Sequence, residues 1–391
     1  MIANWLNKLW YWTKYPFKFL LYQAIDIVVI QKKVIPKPKS VLIFRLDLVG
    51  DFVMSRAFFS PLNQIGRFKR YSLSLACNEI VKNLVEGFDE KTFDHVFYIN
   101  RPKFLNNASY RFKILSEIRE KGFEVVICPM HTRQFLLESV VRCSGAKLKI
   151  GTTGIGKHMF DWQQKMADSW YNELITNPKE PLFEFYRNQY FFNSLAKENL
   201  GVLNIKCRVK AEWLNKTPDQ PFILFAPGAS VAFRRWPTKS FAILAKQLHE
   251  KYKLQIFVIG SGSEKYLFDE IFEMAGKPEY LRNLCGELSL SQSIAWMSKA
   301  KLLISNESAP VHMAAMVDCP TICLSNGSHY LRWNSYPAEM KTRIQTIYPI
   351  SFTSYSDLEK LYFYTDQCPI AINEITIDGI MKDIEEFGIK C

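Results

Sequence analysis

The chain lacks a long uninterrupted apolar run. In its N-terminal stretch Lys18, Gln23 and Asp26 break the run short of the roughly 20 residues that span a bilayer. A small-residue cleavage site is also missing, so a secretory signal is not expected. The nine cysteines (77, 128, 143, 207, 285, 319, 323, 368 and 391) are odd in number and lack paired metal spacing. Cys319 and Cys323 flank and enter an apolar strand, so core positions in a reducing compartment are expected. No dense Lys/Arg block or nucleic-acid motif occurs, which sets nucleic acid aside despite a formal charge of +12. Tandem repeats, low-complexity tracts and an Asp-x-Asp metal motif at a strand end are absent as well.

Acidic residues are missing before Asp26. Trp5, Trp10, Tyr11, Trp12, Tyr15, Phe17 and Phe19 are interleaved there with Lys8, Lys14 and Lys18. Aromatic rings prefer the lipid headgroup region, and lysines are drawn to anionic lipid. Residues 1–39 are therefore expected to form an aromatic, basic helical extension on an anionic membrane surface. The alternative is a helix packed on protein. Pro36 and Pro38 end the segment.

A chain of 391 residues, 48% hydrophobic, suffices for two ordinary domains. Val41–Phe44, Ser72–Ala76, His95–Tyr98 and Glu124–Cys128 read as strands. Helices are expected near Asp51–Ile65, Glu79–Glu86, Tyr110–Lys121 and Phe135–Cys143. This alternation predicts a parallel sheet with helices on both faces. Residues 151–200 are less regular, and the run of Phe183, Phe185, Tyr186, Tyr190 and Phe191 at helical spacing reads as core. Residues 201–220 look like a connection. The alternation resumes at Phe222 and runs through Leu324, giving a second Rossmann-like domain. The fold class is α/β: two doubly wound domains facing a cleft, divided at about residues 205–206. The tail from Asp357 is expected to pack back across that cleft.

Three strand-loop-helix junctions in the second domain carry chemistry. The strand Leu302–Ser305 runs through Asn306-Glu307 into a helix opening at Ser308 and Ala309, whose first amides have no intrahelical partner. Such a helix start suits a diphosphate, unless Ser308 simply caps it. Phe222–Phe225 leads to Gly228, Ser230, Arg234 and Arg235, which offer close backbone approach, a hydroxyl and charge for a phosphate. Leu254–Ile259 ends in Gly260-Ser261-Gly262-Ser263-Glu264, where the carboxylate could accept ribose hydroxyls. Together the three junctions predict a nucleotide site.

With these motifs the chain resembles the heptosyltransferase family of bacterial glycosyltransferases, family 9, of GT-B fold. Val41–Arg45 leading to Gly50-Asp51, Pro227–Ser230 with Arg234–Pro237, Gly260–Glu264, and Glu307–Ala309 with His312 stand in the family's order. The resemblance implies an inverting, metal-independent transferase without cofactor. It would move a heptose-like sugar from an ADP-linked donor to a lipopolysaccharide core or related glycolipid at the inner face of the cytoplasmic membrane. A nucleotide-sugar epimerase and a non-catalytic membrane scaffold are the alternatives. In the family's terms residues 40–205 bind the acceptor and residues 206–391 the nucleotide sugar.

Asp51 then becomes the catalytic base, with Asp47 and Arg45 on the acceptor side. Its place at a helix N-terminus should keep it ionised and weaken it as a base, unless desolvation raises its pKa. Arg234 matches the phosphate-contacting position, with Arg235 as helper and Ser230 in the same loop. Ser308 and Ala309 supply amides to the diphosphate, and Glu264 matches the ribose ligand. Leu288 falls where backbone atoms meet adenine, and His312 takes a donor-side place. Two departures stand out: Glu307-Ser308-Ala309 replaces the family's Asp-Thr-Gly, and Ser325–Tyr330 replaces a Phe-Gly-Pro-Thr-like turn.

Overall fold

Among the described residues twelve short strands, the central ones with apolar cores, form two parallel six-stranded sheets. The first holds β1 (Lys37–Arg45), β2 (Ser72–Asn78), β3 (His95–Ile99), β4 (Phe123–Cys128), β5 (Leu148–Thr152) and β6 (Glu173–Ile175), in the order β3-β2-β1-β4-β5-β6. The second holds β7 (Phe222–Ala226), β8 (Gln255–Val258), β9 (Leu281–Asn283), β10 (Leu302–Asn306), β11 (Thr321–Leu324) and β12 (Ile344–Ile347), in the order β12-β11-β10-β7-β8-β9. Both sheets thus share one doubly wound plan, each reversing direction beside its own first strand, β1 or β7. In such sheets ligands bind outside the carboxyl ends of the strands at that reversal. The computed structural model describes residues 2–156, 159–365 and 367–388, with side chains of the first helix described from residue 16.

The helices that matter below are α1 (Ile2–Gln31), α2 (Val49–Arg56), α3 (Ala108–Lys121), α4 (Phe135–Cys143), α5 (Asp161–Asp168), α6 (Glu184–Ala196), α7 (Thr238–Tyr252), α8 (Ala309–Met316) and α9 (Ile377–Glu386). Central strands such as β1 and β10 are buried on both faces, which is why they read as continuous apolar runs.

Some expectations change. The helix foreseen over Asp51–Ile65 stops at Arg56, and a separate turn forms at Phe59–Leu62. Pro61 has no N–H for the carbonyl of Ala57, and its ring would collide there. The stretch Glu79–Glu86 is a chain of short 3₁₀, α and π turns. Residues 151–200 carry ordered elements: the end of β5, α5, β6 and α6. β6, β9 and β12 are sheet-edge strands of three or four residues, too short for an alternation signal. Phe183, Phe185 and Phe191 are core, as read, while Tyr190 is exposed.

The tail mostly packs on the second half rather than across the cleft. Ile372, Ile375, Ile380 and Ile384 join the core of the second sheet, and α9 lies against α7. Tyr364 reaches over, donating to Leu182 O at 2.7 Å and meeting Arg187 of α6. The described cysteines are buried or half-buried and none forms a disulfide; Cys391 lies outside the described residues.

Candidate active site

The exit of β1 brings three charged groups together. Arg45, 1% exposed, donates from Nε to Asp47 Oδ1 at 3.0 Å and from Nη1 to Asn188 Oδ1 at 3.0 Å. Asp51, one turn into α2, accepts from Leu48 N at 3.3 Å, so it caps its own helix while mostly buried. Its carboxyl is nevertheless pushed up to about 7: burial is the largest cause, followed by the charge of Asp47, and Arg45 opposes both. The helix terminus therefore does not decide its charge. Desolvation beside a second carboxylate does.

His312 closes this side from the second half. It sits on α8, which packs on α2. Its Nδ1 is 2.5 Å from Tyr336 Oη, and a Cβ at Gly50 would lie 2.9 Å from its Cδ2. Burial drives its pKa down to about 4, so the ring is neutral. The expected donor-side histidine thus stands at the seam between the halves, over the residue preceding Asp51.

The donor-side loops converge at the carboxyl ends of β7, β8 and β10. Glu264 Oε2 accepts from Ser261 N and Ser261 Oγ, both at 2.7 Å. Its Oε1 lies so close to Gly228 that a Cβ there would approach it to 1.9 Å. Only glycine fits. Ser308 does not cap α8: its Oγ donates to Gly228 O and Asn306 O, each at 3.2 Å. The helix start, with Ser308 and Ala309, is thus left without a side-chain cap and open to an anion. Arg234 donates to Ser230 Oγ at 3.1 Å and places Nη1 3.7 Å from Glu307 Oε1.

Arg235 takes a different part from the one expected. Its Nε and Nη2 hold Ala229 O at 2.9 and 2.8 Å, and Nη1 reaches Tyr266 Oη at 2.6 Å. It clamps the loop that presents Arg234. Leu288 is half-buried against the apolar core, just beyond Gly286, whose backbone abuts Gly262.

Several residues escaped the sequence reading. Asn306 ties two loops together, accepting from Trp236 N at 3.0 Å and donating to Pro227 O at 2.6 Å. Glu307 is buried, which raises its pKa, and its Oε2 accepts from Ser325 Oγ and from Asn334 Nδ2 at 2.9 Å. The longer side chain, in place of aspartate, is drawn into the Ser325–Tyr336 loop. His131, Glu184 and Arg332 gather at the seam; burial lowers His131 to about 3. Asn306 and Glu307 stand at a strand end that the sequence marked, though not with these partners; His131, Glu184 and Arg332 meet only through tertiary contacts.

The sequence pattern of glycosyltransferase family 9 (heptosyltransferase) matches residues 111–359. Lipopolysaccharide heptosyltransferase 2 of Salmonella typhimurium is 34% identical over 110 residues, 27% of this chain and 31% of that protein. The aligned stretch thus spans about a third of that relative's length. Lipopolysaccharide heptosyltransferase 1 of Campylobacter coli is 22% identical over 359 residues, 88% of this chain and 98% of that protein. The solved Escherichia coli ADP-heptose LPS heptosyltransferase II superposes with a TM-score of 0.65 at 18% identity, covering 89% of this chain and 98% of that one. That likeness fixes the fold as two Rossmann-like halves of GT-B type.

Proposed function

The chain belongs to glycosyltransferase family 9 (heptosyltransferase), and from that premise we propose that it transfers a heptose-like sugar from an ADP-linked donor to a hydroxyl of a lipopolysaccharide core or related glycolipid. The observation that carries this reading is the meeting of a carboxyl poised near neutrality, Asp51, with an uncapped helix start flanked by Arg234. Ionised Asp51 takes the acceptor's hydroxyl proton as its oxygen attacks the anomeric carbon. The bond from that carbon to the diphosphate oxygen breaks, and the nucleoside diphosphate leaves with the electron pair. Attack opposite the leaving group inverts the anomeric centre. Arg234 and the amides of Ser308 and Ala309 meet the charge that develops on the diphosphate. Protein donors supply this stabilisation, so the scheme calls for no metal.

The helix α1 supports a place at the inner face of a membrane. Tyr22, Asp26 and Val29 are buried toward α3 and α4, with Asp26 Oδ1 3.3 Å from Arg111 Nη2. The opposite face carries Phe17, Leu20, Leu21, Ile27 and Val28, with Phe17 72% and Leu20 65% exposed. Phe19 meets Phe135 at a tilt and Trp162 edge-on, and Trp162 stacks on exposed Phe160. This apolar ridge adjoins a stretch with three lysines and no acid before Asp26, which fits anionic lipid. The side chains of Trp5, Lys8, Trp10, Tyr11, Trp12, Lys14 and Tyr15 lie outside the described residues. No helix among the described residues is long and apolar enough to cross a membrane.

Calorimetric titration of ADP, UDP, GDP and CMP into the wild type and Glu264→Ala tests the donor. Selective ADP binding, weakened about tenfold or more by the substitution, is expected from a lost charge-assisted ribose contact. Preference for another nucleotide would overturn the ADP-heptose assignment. Transfer assays with ADP-heptose and a truncated lipopolysaccharide then test the acceptor.

A further inference from the structure

Arg332 leaves the loop after β11 in the second half and buries its guanidinium against the first, where it is 7% exposed. Its Nε donates to Glu184 Oε2 at 3.0 Å, its Nη2 to Thr132 Oγ1 at 3.2 Å, and its carbonyl accepts from Glu184 N at 2.9 Å. Glu184 opens α6 and also lies 3.4 Å from Arg187 Nε. One turn along, Asn188 donates to Glu184 O at 2.8 Å and accepts from Arg45, which holds Asp47. The same loop is anchored on the donor side, where Asn334 donates to Glu307 Oε2 at 2.9 Å and Glu307 faces Arg234. A line of ion pairs and hydrogen bonds therefore runs from Arg234 and Glu307, through the loop, to Asp47 beside the proposed base.

A buried ion pair is a poor device for stability alone, because desolvation cancels most of its attraction. Its worth lies in fixing geometry. We propose that Arg332 is a positioning residue for glycosyl transfer, whose ion pair with Glu184 holds the donor half over the acceptor half and sets Asp51 against the donor. This rests on the transferase reading above. The charged groups facing Asp51 are Asp47 and Arg45 from the β1 exit, Glu184 from α6 and Arg332 from the second half; His312, over Gly50, is neutral. Arg332 favours the ionised form of Asp51 and Glu184 disfavours it. Removing the two charges must move the acidic limb of the pH–rate profile in opposite directions: upward for Arg332→Gln, downward for Glu184→Gln. The opposite signs report the two charges at Asp51; the loss of kcat with ADP affinity retained reports positioning.

The test compares kcat, KM and the pH profile of kcat/KM for wild type, Arg332→Gln, Arg332→Lys and Glu184→Gln. Calorimetric ADP affinity and thermal unfolding monitor folding, and small-angle scattering measures compactness. Arg332→Gln should lower kcat by about tenfold or more with ADP affinity within about twofold, a coupling-sized effect. The lysine variant should recover part of the rate, and the Gln variant should be more expanded in solution. Unchanged kcat in Arg332→Gln, or limbs moving in the same direction in the two Gln variants, overturns the proposal. If Arg332→Gln does not fold, Arg332→Lys and Glu184→Gln decide: wild-type rate and profile in both overturn it. If the wild type transfers no sugar, the transferase reading fails, and scattering judges the ion pair: an Arg332→Gln protein as compact as wild type overturns it.

Discussion

At the residue scale, burial acts on Asp51 and His312 with opposite consequences for their protons. The carboxyl rises to about 7 and holds its proton more tightly, whereas the imidazole falls to about 4 and stays neutral. In the proposed mechanism transfer uses ionised Asp51, so kcat/KM should rise with pH through about 7, with no second limb from His312 over the neutral range. A flat profile there would remove Asp51 as the base. The same shift carries a stability cost of definite sign. A raised carboxyl pKa gives stability that is present below the ordinary carboxylate value and is lost as pH rises through the folded value. Asp51→Asn should therefore abolish transfer, leave ADP binding nearly intact, and melt about 2 °C higher than wild type near pH 8, with little difference near pH 4. Differential scanning at both pH values checks the sign. Asp51 itself was legible in Gly50-Asp51 after an apolar strand. Its proton affinity was not, because that depends on Asp47, Glu184 and Arg332, the last two contributed by α6 and the second half.

At the element scale, α1 shows how a legible composition can leave the geometry open. Sequence offered membrane or protein as its partner, and the helix has a face for each. Burying Tyr22 and Val29 stabilises its docking by about 1.5–3 kcal/mol for each side chain. Asp26 pairs with Arg111 there, so deleting residues 1–35 would leave a buried guanidinium without its carboxylate. Point substitutions on the outer ridge are the cleaner probe. Leu20→Glu with Val28→Glu should abolish flotation with phosphatidylcholine–phosphatidylglycerol vesicles while keeping the melting temperature and ADP affinity. Wild-type flotation by that variant would show that the ridge does not meet lipid. The loop after β7 gives the converse case. Two adjacent arginines look equivalent in sequence, yet Arg235 turns to Ala229 and Tyr266 while Arg234 turns to Ser230 and Glu307.

At the scale of the whole molecule, two sheets share one strand order, and α2, which follows β1, packs on α8, which follows β10. The seam between the halves is tight where α8 rests on α2 through His312 and Gly50, and again where Gly87 meets Ser291. Gly50→Ala would set a methyl group 2.9 Å from the ring, inside any real carbon contact. Overpacking of this kind costs about 1–3 kcal/mol, and here separation of the halves can relieve it. The variant should lose kcat by about tenfold while each half stays folded, as a small misplacement of reacting groups suffices for such a loss. Retention of full kcat would show that the seam tolerates opening.

The sequence by itself determined the alternation of strand and helix, the central buried strands and the chemistry of the loops at their carboxyl ends. These depend on runs of a few neighbouring residues, where apolar content and glycine or proline positions act locally. Tertiary structure decided the rest: the edge strands β6, β9 and β12, the free face of α1, the partner of each arginine, and the charge on Asp51. Glu184 and Arg332 are 148 residues apart, and no local pattern marks them as a pair. Electrostatics and burial act through distance in space, and only the fold supplies those distances.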